Sequence, residues 1–365
     1  MALVFLSATG FAGAGEISVG VQYDGWSTDY SSTVGGSEIM VPVSAYFKID
    51  PALSFYGESA FADGSYTDDA IAGTTTLSLS DLTDTVVGSD LHFHSFGVPS
   101  VANIAVNLPT GDSTWEEKEQ TYLNVPTEFI DTRYRGRGFG VSGFYGLSFQ
   151  TGQTSQFGAG VGYLYSGSFD AGQGLPDLDL GDSIYLALNR VEAFSGDKSS
   201  VIRLSGMAFL PTQTNGQTIF QMGPNIDASY GFSDPKGLSY EIGGQFFTPA
   251  GRPNSAGVIQ TEPHNSFGQR FYIAPSLTFD KLTVAGIVKY VTANDYAVGE
   301  TYYDGGGLLA GLNPTLLVPL NDVSNLKFNA GYDFIIYHNA ASSGGSAADV
   351  DYNFWSCGAN YEIKI

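Results

Sequence analysis

The chain has 365 residues, with 15 Lys and Arg against 37 Asp and Glu, a formal net charge of −22 at pH 7. So acidic a balance excludes nucleic acid as a natural partner, and the single cysteine, Cys357, excludes an internal disulfide and any cysteine-based metal cluster. Only 14% of residues are charged, about half the fraction of an ordinary soluble domain.

Gly (47), Phe (25) and Tyr (22) are abundant, a composition that suits strands and turns better than helices. Nothing past the N-terminus approaches the ~20 continuous apolar residues of a membrane-spanning helix. A membrane protein of this composition is therefore a barrel, because only helices and closed barrels satisfy their backbone groups in lipid. The first fifteen residues, MALVFLSATGFAGAG, are apolar from Ala2 to Leu6 and then small, ending in Ala12-Gly13-Ala14. They read as the remnant of a secretory signal peptide with an A-x-A cleavage site and no basic n-region. Either the true start lies upstream or the mature N-terminus is unusual. Residues 16–365 then form a single domain, and an exported, acidic, strand-rich chain belongs in a Gram-negative envelope.

Taken in chain order, period-two alternation predicts sixteen strands. The first eight are Glu16–Trp26, Glu38–Ile49, Ala52–Ala62, Thr83–Phe96, Val101–Thr110, Tyr134–Phe149, Gln156–Phe169 and Ser183–Ala193. The rest are Ser200–Leu210, Thr218–Phe232, Leu238–Thr248, Gly268–Phe279, Leu282–Thr292, Leu308–Leu320, Asn325–His338 and Tyr352–Ile365. Thr83–Phe96 and Leu308–Leu320 alternate least regularly, so fourteen strands is the other count.

The connections alternate in length. Tight ones follow Ile49, Phe96, Phe149, Phe232, Phe279 and Leu320, and another surrounds Lys198. Between them lie long polar ones: 27–37, 63–82, 111–133, 170–182, 249–267, 293–307 and 339–351; only the link around Asn215 is short. Short turns at one end, long loops at the other and an even strand number describe a bacterial outer-membrane barrel, an all-β, antiparallel, up-and-down fold with both termini periplasmic. Apolar faces then look outward to lipid. In Asn325–Asn339 these are Leu326, Phe328, Ala330, Tyr332, Phe334 and Ile336, with Lys327, Asn329, Gly331 and Asp333 inside. Tyr23, Tyr163, Tyr165, Tyr230, Phe279 and Trp355 sit near strand ends, where an interfacial girdle needs aromatics. Ile287 and Ile335 fall on the inner side, against the pattern.

With this architecture the chain resembles the Gram-negative porins over essentially its whole length, through layout and not signature residues. The resemblance implies a passive diffusion channel in which the third external loop folds into the lumen. Here the third long connection, GDSTWEEKEQTYLNVPTEFIDTRYRGR, is also the longest. The segment NLPTGD (Asn107–Asp112) is similar to a motif of outer-membrane proteins associated with aromatic (phenol) degradation. One departure is that porins usually end in an aromatic residue, whereas this chain ends in Ile365, which bears on trimeric assembly.

Candidate site residues follow from the strand parity. Lumen-wall charges are Asp24, Lys48, Glu58, Asp90, Arg203, Asp227, Glu241, Arg270, Lys289, Lys327, Asp333, Glu362 and Lys364, close to balanced, so most of the net −22 lies in the loops. An acidic rim gathers cations and repels anions, weakly at physiological salt. In the third loop Asp112, Glu116, Glu117, Glu119, Glu128 and Asp131 are the expected constriction, facing basic wall residues across the lumen to set a transverse field. Arg133, Arg135 and Arg137 share one outward face, suited to bidentate binding of lipopolysaccharide phosphates or to pairing with Glu128 and Asp131. Asp90, His92 and His94 lie on one strand face, a weak metal candidate, and otherwise polar lumen residues near the periplasmic mouth. Ser95 points away from both histidines, so no local Ser–His pair forms and no enzyme is expected; no motif asks for a cofactor.

These features predict an outer-membrane channel for passive diffusion of small hydrophilic solutes. The alternatives are a channel for hydrophobic or aromatic compounds, which needs an apolar lumen path that parity does not supply, or a non-transporting structural or scaffold barrel. Expected partners are outer-membrane lipid, lipopolysaccharide and small solutes, with a homo-oligomer such as a trimer, or a partner complex, also compatible.

Overall fold

The computed structural model describes residues 15–28, 34–68, 75–112, 136, 138–170, 177–248, 251–253, 259–261, 268–292, 296–298, 301–303, 305–339 and 348–365. Sixteen antiparallel strands, each paired with its neighbours in sequence, close into one barrel. They are β1 (Gly15–Thr28), β2 (Val34–Lys48), β3 (Leu53–Asp68), β4 in two pieces (Thr75–Leu82 and Thr85–Ser95), β5 (Val98–Leu108), β6 (Gly140–Gln150), β7 (Ser155–Ser166) and β8 (Ser183–Ala193). The second half comprises β9 (Ser199–Phe209), β10 (Asn225–Ser233), β11 (Leu238–Phe247), β12 (Gly268–Phe279), β13 (Leu282–Thr292), β14 (Gly305–Asn321), β15 (Ser324–Asn339) and β16 (Ala348–Lys364). Closure is the β1–β16 ladder, from Glu16 opposite Lys364 to Thr28 opposite Tyr352. Gly15 and Ile365 exchange backbone hydrogen bonds at its foot, so both described chain ends meet at the short-turn, periplasmic end.

Curvature separates the two faces. On the convex outside side chains splay apart, and Leu186 (59%), Leu312 (60%) and Ile226 (54%) stand well exposed. On the concave inside they crowd, and Ala105, Phe144 and Tyr185 are buried. The outer surface is a continuous apolar belt, with Tyr163, Tyr165, Tyr230, Phe279 and Trp355 all exposed on it. A closed ladder leaves no unpaired strand edge within this belt, which is the condition for spanning lipid with strands. The chain is an integral outer-membrane barrel.

The short turns carry the chemistry their tightness requires. Phe96 and Gly97 both have positive φ (53° and 78°), as a two-residue type I′ hairpin turn demands. Asp50 accepts hydrogen bonds from the Ala52 and Leu53 amides, Asp234 from Lys236, and Asn321 from Val323. Each closes its turn with an Asx bond.

The structure departs most from the sequence expectation in three places, and several ladders also run into predicted loops, as where Gly35 and Gly36 pair with Ser27 and Trp26. The polar stretch Thr75–Leu82, read as loop, pairs with β3 from Phe61–Leu82 to Asp68–Thr75, so this hairpin runs on past the end of β5, whose pairing stops at Leu108. Predicted strand Thr218–Phe232 is interrupted before Asn225: Pro224 has no amide to give the ladder, and β10 starts after it. The link around Asn215 is a small external sheet, in which Thr212–Thr214 pairs with Gln217–Phe220 and with Leu178–Asp179.

Candidate channel lumen

The inner face of β9 to β12 carries a polar wall. Arg203 on β9 reaches across β10 to Glu241 on β11, Nη1 to Oε2 at 3.2 Å, and Tyr272 on β12 donates its hydroxyl to the other Glu241 oxygen at 2.6 Å. Gly231 on the intervening strand leaves room for that reach; a side chain there would begin 3.7 Å from the Arg203 guanidinium. Toward the outer mouth, Arg270 lies over the Phe247 ring, 5.2 Å from its centroid, within cation–π range. Asp227 is opposite Gln245 on β11 and Ser205 on β9. Lys327 borders an open space of about 330 Å³ lined also by Gln22, Thr315, Asn329 and Asn360. By register Lys48, Glu58, Lys289, Asp333, Glu362 and Lys364 lie level with inner-face residues of the neighbouring strands.

A second feature is a set of inner aromatic rings laid flat on glycines. β7 presents Gly158, Gly160 and Gly162 inward, and a Cβ on these would collide with Asn189, Phe144 and Tyr185 respectively. Phe144 and Tyr185, from the strands either side, stack with centroids 5.7 Å apart and planes 2° from parallel. Tyr56 covers Gly88, Tyr272 covers Gly243 and Trp26 covers Gly36 in the same way. The missing side chains let large rings lie along the wall instead of projecting into the lumen.

The third feature is an apolar patch packed on the inner face. Trp26, Tyr66, Leu309 and Ile335 form one buried cluster on the inner face, with Ile287, Tyr352 and Phe354 packed against it. Ile335 is wholly buried, so the two isoleucines that broke the alternation belong to an inner apolar wall. Met40, Ala60 and Ala62 form a neighbouring cluster. Parity could place each residue inside but not show that side chains from β1, β3 and β13 to β16 converge.

Of the remaining candidates, Asp90 accepts a hydrogen bond from Asn103 Nδ2 at 2.8 Å, while His92 and His94 stand exposed on the inner face near the periplasmic rim. No group of three or more His, Cys, Asp or Glu suited to a metal occurs among the described residues. Ser95 faces outward and bonds Ser100 Oγ (2.6 Å) and Tyr145 OH (2.5 Å). Asp112 is exposed at the root of the third external connection. Glu116, Glu117, Glu119, Glu128, Asp131, Arg133, Arg135 and Arg137 lie outside the described residues.

The closed sixteen-strand ladder, its apolar exterior and its short-turn and long-loop ends define a porin-like outer-membrane barrel. Solved structures similar in overall form include the outer membrane protein OprD of Pseudomonas aeruginosa (TM-score 0.49, 11% identity, 98% of this chain and 96% of that one). OccAB2 of Acinetobacter baumannii is similar too (0.49, 11%, 96% and 98%), as is a loop-deletion variant of OmpT of Vibrio cholerae (0.44, 13%, 96% and 100%). No family model and no curated protein matches the sequence.

Proposed function

We propose that the barrel is a passive channel for small hydrophilic solutes, narrowed by residues 111–133. The observation that carries this reading is the solvation of the inner ion pair. Arg203 and Glu241 leave 45% and 36% of their side chains accessible, inside a closed barrel where only a water-filled lumen can hydrate them. Sixteen-stranded barrels are wide enough for such a channel, whereas eight-stranded ones fill with side chains. Asp112, Glu116, Glu117, Glu119, Glu128 and Asp131 then face Arg203, Arg270, Lys289 and Lys327 across the narrowed lumen, and the field between them orders polar solutes.

Single-channel recording in a planar bilayer under a salt gradient tests this. A stable open conductance with mild cation preference is expected, and replacing Glu116, Glu117 and Glu119 with Gln changes both conductance and preference. A folded, heat-modifiable barrel with no conductance overturns the reading. The inner cluster of Trp26, Tyr66, Leu309 and Ile335 favours a second reading, passage of compounds with an aromatic or apolar part. Faster liposome entry of a small phenol than of a sugar of equal size would distinguish it.

A further inference from the structure

A pair of charges interrupts the outer apolar belt near its periplasmic edge. On β8, Ile184, Leu186 and Leu188 stand exposed outward, while Asn189 turns inward over Gly158. Arg190 and Glu192 continue the outward series. Arg190 lies level with Phe157 on β7 and with the exposed Ile202 on β9, and Glu192 lies level with Ser155 and Ser200. Arg190 Nη2 donates to Glu192 Oε1 at 2.5 Å, and Ser155 Oγ donates to the same oxygen at 3.3 Å. The Arg203–Glu241 pair, by contrast, faces the lumen.

The aromatics beside the pair fix its depth. Ile202 is level with Tyr230 on β10, and Tyr230 and Phe232 both pack on Tyr240 of β11, with ring centroids 6.2 and 5.4 Å away. Such aromatics on the outside of a barrel mark the headgroup level, where a lipid-facing charge costs far less than at the bilayer midplane. The charged groups still need partners there, and ionisable residues facing the membrane are rare enough to point to a function. Glu192 takes one of the Arg190 N–H groups, yet the two side chains stay 55% and 37% accessible. Beyond them Lys198 Nζ meets Asp234 Oδ2 at 3.1 Å on the neighbouring turns. Cations and carboxylates are therefore matched along this edge. A polyanionic headgroup finds no excess of positive charge here, whereas a headgroup with one charge of each sign finds a complement for both.

We infer that Arg190 and Glu192 bind the zwitterionic headgroup of phosphatidylethanolamine in the periplasmic leaflet. The guanidinium takes the phosphate, which it can hold bidentately, and the Glu192 carboxylate accepts from the primary ammonium. Native mass spectrometry tests this on folded, heat-modifiable barrels in detergent. They are incubated with equal amounts of phosphatidylethanolamine, phosphatidylcholine and phosphatidylglycerol of the same acyl chains. The wild type should retain phosphatidylethanolamine over phosphatidylcholine by about tenfold, the effect of one charge-assisted hydrogen bond, because a quaternary ammonium has no N–H to give Glu192. Glu192→Gln should abolish that preference and favour phosphatidylglycerol, since Arg190 is then uncompensated. Arg190→Gln should lower retention of all three lipids. Arg190→Lys, which keeps the charge but not the planar fork, serves if that variant fails to fold, and should weaken retention in the same direction. Asp322→Asn, which removes an exposed charge from another periplasmic turn, should change nothing. Equal retention of the three lipids by the wild type overturns the site, as does an ethanolamine preference that survives Glu192→Gln. A wild-type preference for phosphatidylglycerol overturns it as well. A discrete oligomer that dissociates on Arg190→Gln also overturns it, and assigns the pair to contact between copies of the chain.

Discussion

Asp333 lies across the β14–β15 ladder from Gly311, and its carboxylate occupies the space where a side chain on that glycine would begin. Asp333 Oδ1 is buried without a hydrogen-bond partner among the described residues, beside Phe354 on the next strand and one inward position from Ile335. The glycine thus lets a carboxylate lie flat against the wall at the edge of an apolar cluster. Gly311→Ala should push it off the wall and destabilise the barrel by about 1–3 kcal/mol, the usual range for overpacking. Gly286→Ala is the control. There a Cβ meets neighbours only at 3.5 Å and beyond, and a compatible Gly→Ala change gains about 0.4–1 kcal/mol. Equal urea midpoints for the two variants in lipid would show that the close approach costs nothing.

The glycine stripe of β7 makes a coupled prediction. Gly162→Ala places a methyl group in the Tyr185 ring, so the ring must leave its stacked position on Phe144. The single variant should lose about 1–3 kcal/mol. In Tyr185→Ala the same methyl meets no ring, so the Gly162→Ala change should then be nearly silent. A double-mutant cycle should return a coupling of at least ~0.5 kcal/mol. Additive effects would mean that the ring is not held by the absence of that side chain.

Trp26 belongs to the inner apolar cluster with Tyr66, Leu309 and Ile335. Truncating a buried Trp typically costs about 3–5 kcal/mol. Trp26→Ala should approach the lower end, because lumen water can enter the space left. The same substitution should raise single-channel conductance if the cluster narrows the lumen. Lower stability with unchanged conductance would confine the cluster to a structural role.

Much of this fold was legible because lipid and lumen impose opposite demands on alternate residues. Ser183–Ala193, Gly268–Phe279 and Leu282–Thr292 begin and end where alternation predicts. The signal fades where those demands stop. Thr75–Leu82 stands at the outer end of the barrel, needs no apolar lipid face, and so reads as a polar loop. At Thr83–Asp84 the strand is interrupted, so the alternation of Thr75–Leu82 does not carry through into Thr85–Ser95. The inner cluster was hidden for another reason: Trp26 and Leu309 meet only through the closed cross-section, and period two carries no information about which inward residues converge. Ile287 and Ile335 were the trace it left, as apolar residues on the wrong side.

Arg203 and Glu241 give the test of lumen charge. Their pair is solvated, so Arg203→Gln should change stability by less than about 1 kcal/mol. Its effect should fall on selectivity: Glu241 is left uncompensated, and the reversal potential under a salt gradient should move toward cations. Arg203→Gln with Glu241→Gln should bring it back near the original value. A reversal potential indifferent to both changes would place this pair outside the ion path.

The periplasmic turns predict how the barrel responds to acid. Asp234 accepts the Lys236 amide at 2.9 Å and faces Lys198 Nζ of the neighbouring turn at 3.1 Å. The amide first, and then the Lys198 ammonium, hold its carboxyl below the ordinary carboxylate range. A carboxyl whose pKa is lowered by folding stabilises the fold fully above its unfolded value, about 3.9. That contribution is lost as pH falls through the lower, folded value. Asp234→Asn keeps an acceptor for the Lys236 amide but carries no charge. Wild type and Asp234→Asn should therefore differ in unfolding midpoint at pH 7 and converge below about pH 4. Midpoints that stay parallel from pH 7 down to acid would mean that the charge on Asp234 contributes nothing to the turn.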